Sequence, residues 1–320
     1  MMETQHKTLK PLLQHWKLTF EKVRHDLAIT GSPERCLSRI VIEDKQRRLF
    51  ILEEISPHNV KRKEEIAGIL CSLALQGLPA VHPSLPNTSK KFITEHYNRF
   101  WTVRPYIEGA TLQRPEYVYD GWRGSPAAAF LKELKAKSVF ITDVRTPSFS
   151  IVAFIAEFLE RVEKHNKELI HRITPFIEFL DTDFFAAHDK LPFCFCHGDY
   201  HPMNIVWSED AILSVIDWEF SGYKPEIYDM SLLIGCIGME DPAALTGPFV
   251  KHFLQGLAHA CSPFSLRYIF EFVLALRFAW LSEWLRNKDK EMIELEIDYM
   301  ALLLREKPFL KDAWARCLSA

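Results

Sequence analysis

Hydrophobic and polar positions alternate in short runs in the first third of the chain, a pattern typical of strands with one buried face. The runs predict strands at residues 25–29, 36–42, 49–52, 92–94 and 100–103. Short polar turns join the first three runs, and a helical stretch precedes the last two. The sequence therefore predicts a three-stranded meander, one helix and then a pair of strands.

The helical stretch between the two groups of strands has recognisable ends. Apolar residues from Val60 to Leu73 recur three or four positions apart. Ser56 is a favoured N-cap residue and Pro57 suits the first helical turn. Gly77 favours termination because glycine accepts the left-handed conformation that often follows a helix. The sequence predicts a helix that Ser56 caps and that ends at residue 76.

Helical periods dominate the second part of the chain. Apolar residues recur at helical spacing in residues 127–134 and 151–170, and Pro175 is expected to interrupt the helix. The same spacing continues from residue 227 to residue 316. Short apolar runs at residues 193–196, 205–207 and 212–216 predict strands between these helices. The fold class is therefore α+β and bilobal, with a small β-rich N-lobe and a larger α-helical C-lobe. We place the N-lobe at residues 1–104, the hinge at 105–109 and the C-lobe at 110–320.

The composition restricts the partners and the location of the protein. The 320 residues carry a net charge of −3, so no basic field attracts nucleic acid or an anionic membrane. No apolar run reaches the ~18 residues of a membrane span, and the N-terminus lacks the apolar segment of a signal peptide. The seven cysteines have no zinc-ribbon spacing and are expected to be reduced. We expect a cytoplasmic protein with neither nucleic-acid nor membrane partners and of unknown oligomeric state.

Two carboxylates and an amide stand close together in the sequence of the C-lobe. Asp199 and Asn204 follow the strand at 193–196, and Asp217 follows the strand at 212–216. Magnesium-dependent phosphoryl transfer needs a carboxylate that orients and deprotonates the attacking hydroxyl, and oxygen ligands for Mg²⁺. We therefore expect Asp199 and Asn204 to be catalytic and Asn204 and Asp217 to bind Mg²⁺, all three on one β-hairpin within residues 193–217.

These residues allow two other interpretations. Aspartate and asparagine are also common turn residues, although a structural role for all three positions together is less favoured. The string His197-x-Asp199-x-His201 also suits a metallohydrolase, but such a site needs further histidine and carboxylate donors, and the remaining histidines form no cluster in the sequence.

The motif His197-Gly198-Asp199-x-x-x-x-Asn204 resembles the catalytic loop of the aminoglycoside phosphotransferase and choline kinase family, which has a protein-kinase-like fold. Ile216-Asp217-Trp218-Glu219-Phe220, followed by Tyr228-Asp229-Met230, resembles the metal-binding segment of the same family. The resemblance implies Asp199 as the base, Asn204 and Asp217 as Mg²⁺ ligands, and Glu219 as a further metal ligand. For Glu219 two alternatives stay open, a carboxylate that supports the metal site without binding the ion and a solvated turn residue. The resemblance also implies that His197 and Asp229 brace the catalytic loop.

The same resemblance implies an ATP site covered by the N-lobe and an acceptor site among the C-lobe helices. Pro105 and Ile107 fall where family members offer a backbone carbonyl and an N–H group to adenine. Ser32, in the loop after the first strand, falls where a hydroxyl would donate to a phosphate. ATP and Mg²⁺ are therefore the expected cofactors.

One position departs from the pattern of the family. The third strand should end near a lysine that pairs with nucleotide phosphates and with a helix glutamate, but Glu53 stands there. Arg62 and Lys63 stand on the following helix, where the glutamate would be expected. One interpretation is an inverted pair, in which Glu53 binds Arg62 or Lys63. The positively charged side chain of that pair would then also reach the nucleotide phosphates. The other is a weakened nucleotide site, because an uncompensated carboxylate repels phosphate.

The sequence thus predicts a kinase that transfers the γ-phosphoryl group of ATP to a hydroxyl of a small polar acceptor. An aminoglycoside, choline or ethanolamine, homoserine or a sugar would each be compatible. A protein kinase of the same fold and a non-catalytic nucleotide sensor remain alternatives, the second because of Glu53.

Overall fold

A computed structural model of the chain describes residues 9–31, 36–141 and 149–319. The chain forms two compact units. The first comprises Met1–Thr111 and Met203–Phe220, and the second comprises Leu112–Pro202 and Ser221–Ala320. The first unit contains a five-stranded sheet and the second is mainly helical. The prediction of an α+β, kinase-like fold class is confirmed.

The sheet of the first unit is antiparallel, in the order β1-β2-β3-β5-β4. Its strands are β1 (Phe20–Val23), β2 (Ser38–Asp44), β3 (Leu49–Ile55), β4 (Thr94–His96) and β5 (Arg99–Pro105). The central strand β3 is buried along almost its whole length. On one side of the sheet, Leu13, Phe20 and Leu52 belong to the hydrophobic core of this unit.

The first strand lies earlier in the chain than predicted. Residues 25–29 form turns and irregular structure, whereas β1 is Phe20–Val23. The buried ring of Phe20 anchors this strand in the core, although its neighbours Glu21 and Lys22 are exposed. Directly after β1, Arg24 pairs with Asp26 at 2.6 Å and favours a turn. A single buried aromatic residue among charges gave too weak an alternation to be recognised.

The helix after β3 was predicted with nearly correct limits but with the wrong cap. A 3₁₀ turn at Pro57–Asn59 leads into α1 (Val60–Leu75), and Gly77 follows with a φ of 75°. The hydroxyl of Ser56 accepts no capping hydrogen bond, and its buried oxygen has no partner within the described residues. The 3₁₀ turn places Asn59 rather than Ser56 directly before α1.

The hairpin of β7 (Ile205–Trp207) and β8 (Ile212–Val215) groups with the first unit, although we had assigned it to the C-lobe. Backbone hydrogen bonds explain this grouping. The Val215 N–H donates to the Ala80 carbonyl at 2.8 Å, and the Ala110 N–H donates to the Trp207 carbonyl at 2.7 Å. The roles assigned to the lobes and to the hinge remain predictions.

The second unit contains β6 (Phe193–Cys196), paired antiparallel with β9 (Gly222–Pro225), and nine helices within its described residues. The helices are α2 (Gly121–Lys137), α3 (Ile151–His165), α4 (Lys167–Asp181), α5 (Phe184–His188), α6 (Tyr228–Glu240), α7 (Pro248–Leu257), α8 (Pro263–Leu266), α9 (Ile269–Asn287) and α10 (Lys290–Leu318). None of the helices in the described ranges is long and apolar enough to cross a membrane.

The predicted interruption at Pro175 is wrong. Helix α4 continues through Pro175, and the break lies at Asn166. The backbone of Asn166 leaves the helical region, and its side-chain oxygen accepts a hydrogen bond from the Leu169 N–H at 3.1 Å. A capping asparagine therefore ends α3 and begins α4, because it satisfies an N–H group that the new helix leaves unpaired.

Candidate active site

The first unit contains a cavity whose walls are β3, α1, β5 and the β7–β8 hairpin. Apolar side chains form much of its lining, among them Ile51, Ile66, Ala67, Leu70, Val206 and Ile216. Charged side chains form another part, namely Glu53, Lys63, Arg104, Asp217 and Glu219. A cavity with apolar walls and a few convergent polar groups is the usual form of a small-molecule site.

The β7–β8 hairpin brings two of the predicted metal ligands together. Asn204 directly precedes β7 and Asp217 follows β8 after one residue. The Ile216 N–H donates to the Asn204 carbonyl at 3.0 Å, which continues the pairing of Ile205 with Val215. Asn204 and Asp217 therefore lie at the same end of the hairpin. An amide oxygen and a carboxylate suit Mg²⁺, which prefers oxygen ligands and retains several of its waters.

The backbone around Asp217 is unusual. Asp217 has a φ of 62°, a left-handed conformation that few residues other than glycine, asparagine and aspartate adopt readily. Gly31, whose φ is 94°, lies so close that an added Cβ would stand 2.6 Å from Asp217 Oδ2. The Arg39 guanidinium holds this part of the chain by donating to the Gly31 carbonyl. Only glycine at position 31 allows the β1–β2 loop to approach the carboxylate this closely.

The departure at Glu53 is compensated by Lys63. Lys63 Nζ lies 2.8 Å from Glu53 Oε1 and 2.5 Å from Glu219 Oε1, so one ammonium joins both carboxylates. Arg62, the other candidate, donates instead to the backbone carbonyl of Glu219 at 2.9 Å. Burial lowers the pKa of Lys63, but the charges of Glu53 and Glu219 outweigh this effect and the pKa is raised. Lys63 is therefore charged, and the pair is inverted relative to the family pattern.

Replacement of Lys63 by methionine is expected to lower the free energy of unfolding by about 3 kcal/mol, because Glu53 and Glu219 would remain largely buried without their cation. Methionine preserves most of the apolar stem. Addition of Glu53→Gln to this variant should restore part of the loss, because it removes one of the two carboxylate charges that Lys63 neutralises. Urea denaturation followed by circular dichroism measures both changes.

Lys61 provides the matched control, because it lies on the same helix and is exposed. Lys61→Met should change the free energy of unfolding by no more than about 0.5 kcal/mol. Equal stabilities of Lys63→Met and Lys61→Met would show that the cluster of Glu53, Lys63 and Glu219 contributes nothing to the free energy of unfolding.

The predicted base-binding residues Pro105 and Ile107 both line the cavity. The Tyr106 N–H donates to the Leu49 carbonyl of β3 at 3.0 Å, whereas the Val103 carbonyl accepts from Leu85 on the other side of β5 at 2.7 Å. Backbone polar groups alternate in direction along a strand, so the Pro105 carbonyl and the Ile107 N–H are expected to face away from β3. Proline is tolerated at this position because its missing N–H is not needed by the ladder.

Ser32, the remaining predicted cofactor-binding residue, lies outside the described residues. Sequence reasoning missed two residues near the cavity, Gly31 and Arg104. The glycine of the turn after β1 was visible in the sequence, but its approach to Asp217 depends on distant pairing. Arg104 is the last residue of the predicted N-lobe, and no motif in the sequence marks it as part of the site.

The catalytic loop belongs to the second unit, where Asp229 holds its backbone. The Asp229 carboxylate accepts hydrogen bonds from the His197 N–H at 2.7 Å and from the Gly198 N–H at 2.8 Å. The Asp199 N–H donates to His197 Nδ1 at 3.2 Å, so this ring nitrogen is an acceptor. These bonds give Asp199 a defined backbone position, three residues after the end of β6.

Burial raises the pKa of Asp229 to about 6, although the Gly198 and His197 N–H groups act in the opposite direction. An aspartate in an unfolded chain has a pKa of about 3.9. The folded protein therefore holds its proton more tightly, and the contribution of Asp229 to stability falls as the pH rises from the unfolded value to the folded one. At neutral pH the ionised carboxylate remains buried because it accepts both loop N–H groups.

His201 lies beside Asp199, with 3.7 Å between His201 Nε2 and Asp199 Oδ1. Burial lowers the pKa of His201, which the charges of Asp199 and Glu240 offset only in part, so the ring is neutral at pH 7. Its ring packs edge-on to Trp280, with 6.2 Å between centroids, and Trp280 stacks on Trp284. The two half-buried tryptophans thus form an aromatic surface next to His201.

The expectation of three residues on one hairpin is wrong. Asp199 follows β6, whose partner is β9, whereas Asn204 and Asp217 flank the separate β7–β8 pair. Asp199 belongs to the second compact unit and the other two residues to the first. The cause is β9, a strand that ends in a proline and has no clear alternation in the sequence. The convergence of all three side chains on one metal ion stays a prediction.

Comparison with known proteins identifies relatives of this chain. The model of the phosphotransferase enzyme family matches residues 39–264, which confirms the family predicted from the motifs. No curated protein matches the sequence.

Solved structures share the fold at low identity. An aminoglycoside phosphotransferase from Alicyclobacillus acidocaldarius has a TM-score of 0.66 and 12% identity over 96% of this chain and 95% of its own. A choline/ethanolamine kinase family protein from Mesorhizobium loti has a TM-score of 0.61 and 17% identity over the full length of both chains, 100% of each. The GDP complex of an aminoglycoside 2'-phosphotransferase-IIIa has a TM-score of 0.66 and 15% identity over 95% of this chain and 99% of its own.

Proposed function

This chain belongs to the phosphotransferase enzyme family, and from that premise we propose that it transfers the γ-phosphoryl group of a nucleoside triphosphate to a hydroxyl of a small polar molecule. The observation that carries this proposal is the position of Asn204 and Asp217 at the same end of the β7–β8 hairpin, where the Ile216 N–H donates to the Asn204 carbonyl, beside a cavity that Asp217 lines. The ATP expected from the sequence is a member of the proposed donor class.

Asp199 is the proposed catalytic base. It would accept the proton of the acceptor hydroxyl as the oxygen attacks the γ-phosphorus, while the nucleoside diphosphate leaves on the opposite side. The ordered backbone of residues 197–199 supports this role, because a base must be held within hydrogen-bond reach of the proton that it removes. The neutral ring of His201 places no opposite charge beside the Asp199 carboxylate.

Asn204 and Asp217 are the proposed ligands of Mg²⁺. The bound ion would neutralise charge on the nucleotide phosphates. Glu219 is a less direct candidate, because its carboxylate is engaged by Lys63. We propose that Lys63 keeps the negative charge of Glu53 and Glu219 from repelling the phosphates, and that it donates to a phosphate oxygen when nucleotide binds.

Pro105 and Ile107 are the proposed backbone partners of the purine ring of the nucleotide. The apolar lining of the cavity would pack against the faces of this ring. The acceptor would bind in the second unit, where the half-buried Trp280 and Trp284 stand near His201. Aromatic side chains of this kind pack on the apolar faces of sugars or attract cationic groups. An aminoglycoside, choline or ethanolamine, homoserine or a sugar are therefore the acceptors to test.

Incubation of the chain with a nucleoside triphosphate, Mg²⁺ and each of these acceptors tests the proposal. We expect nucleoside diphosphate release that depends on one acceptor class and yields an acceptor heavier by one phosphate in mass spectrometry. Chelation of Mg²⁺ by EDTA should stop the release, which provides the control in the same preparation.

A non-catalytic nucleotide sensor is the second candidate, favoured by the engagement of Lys63 with two carboxylates where a phosphate-binding lysine is usual. The same experiment separates the two candidates. Binding of nucleotide without transfer to any acceptor would contradict the kinase proposal and support the sensor.

A further inference from the structure

Arg104 contributes a positive charge to the lining of the cavity. Its side chain lines the cavity from β5, where it pairs in register with Ile51 and directly precedes Pro105. It is half-buried, and within the described residues it makes neither a hydrogen bond nor an ion pair. Lys63, by contrast, is neutralised by Glu53 and Glu219.

A half-buried guanidinium needs acceptors. It carries five N–H donors in a planar fork, and donors that are withdrawn from water without a partner lower stability. Because the donors of Arg104 face a cavity, a bound ligand would supply the missing acceptors. Arg104 directly precedes Pro105, so its N–H donors lie at the same part of the cavity wall as the backbone groups proposed to bind the nucleotide base.

The two purines differ at the atoms that such a fork would meet. Guanine presents two acceptors side by side, O6 and N7, which a guanidinium binds with two parallel hydrogen bonds. Adenine presents N7 beside an amino group, and that amino group is a donor that opposes the donors of arginine. We propose that Arg104 selects a guanine nucleotide as the phosphoryl donor of this chain. This inference rests on the proposed function.

Calorimetric titration of the full chain with GMP-PNP and AMP-PNP in the presence of Mg²⁺ tests this inference. A bidentate contact to the correct base discriminates by about 1–3 kcal/mol, so GMP-PNP should bind about 5- to 150-fold more tightly than AMP-PNP. Arg104→Gln should reverse the preference, because glutamine donates to N7 and accepts from the amino group of adenine. Thermal unfolding of each variant verifies that it is folded.

Arg104→Lys separates recognition of the base from recognition of phosphate. Lysine keeps the charge but lacks the fork, so the preference for guanine should fall while the affinity for AMP-PNP remains. An equal loss of affinity for both analogues in Arg104→Gln would assign Arg104 to the phosphates and overturn the inference. Tighter binding of AMP-PNP than of GMP-PNP by the unaltered chain would overturn the guanine preference and leave the proposed function standing. Binding of neither analogue would overturn the proposed function and, with it, the guanine preference.

Discussion

Replacement of Asp199 by asparagine is expected to lower kcat for phosphoryl transfer by about 10²- to 10⁴-fold, the usual contribution of a positioned general base. Asparagine has the same shape but accepts no proton at neutral pH. Affinity for nucleotide should be almost unchanged, because Asp199 is not among the residues that line the cavity of the first unit. The effect is therefore expected in kcat rather than in the KM for nucleotide.

The backbone of the catalytic loop explains why this substitution should act locally. The N–H groups of His197 and Gly198 are bound by Asp229, and the Asp199 N–H is bound by His197. None of these bonds uses the Asp199 carboxylate. Asp199→Asn should consequently leave the fold intact, which a thermal unfolding curve equal to that of the unaltered chain would verify.

Asp189→Asn is the matched control, because the Asp189 side chain is 92% exposed and belongs to the same unit. It removes one negative charge without touching the loop, and its kcat should equal that of the unaltered chain. Full activity of Asp199→Asn would show that another group accepts the proton. Equal losses in both variants would indicate a general effect of charge.

The parts of the site that the sequence predicted correctly are those that depend on neighbours along the chain. The termination of α1 near Gly77 follows from the conformational freedom of glycine. The strands β6, β7 and β8 follow from short apolar runs bounded by polar turns. The family itself follows from a motif of eight adjacent positions, 197–204, and from the segment that begins at Ile216.

The parts that were missed depend on pairing between distant residues. The partner of β6 is β9, which joins Cys196 to Gly222, and no local pattern predicts that pairing. The choice between Arg62 and Lys63 is of the same kind. Adjacent residues on a helix point in directions about 100° apart, so the partner of Glu53 depends on how α1 is rotated against β3. That rotation is set by tertiary packing and not by the helical period.

Replacement of Asp217 by asparagine is expected to abolish the enhancement of nucleotide binding by Mg²⁺. In the proposed site Asp217 is the one charged ligand beside the neutral amide of Asn204, so its loss removes most of the electrostatic attraction for the cation. A metal ion contributes several kcal/mol of charge stabilisation, and the affinity for nucleotide in the presence of Mg²⁺ should fall by at least about 100-fold.

Asparagine is the appropriate substitution because of the backbone at this position. Asp217 has a φ of 62°, and asparagine, like aspartate, tolerates the left-handed region better than most residues do. Alanine would add a conformational penalty of roughly 1–2 kcal/mol. A loss of binding in Asp217→Ala alone would therefore mix backbone strain with loss of the ligand, whereas Asp217→Asn removes only the charge.

The measurement compares nucleotide affinity with Mg²⁺ and with EDTA for each variant. For the unaltered chain Mg²⁺ should increase the affinity, and for Asp217→Asn the two values should coincide. Asp210→Asn is the control, because Asp210 is exposed in the turn of the same β7–β8 hairpin and its loss should leave the dependence on Mg²⁺ unchanged. An unaltered dependence on Mg²⁺ in Asp217→Asn would exclude Asp217 as a ligand and would move the metal site away from this end of the hairpin.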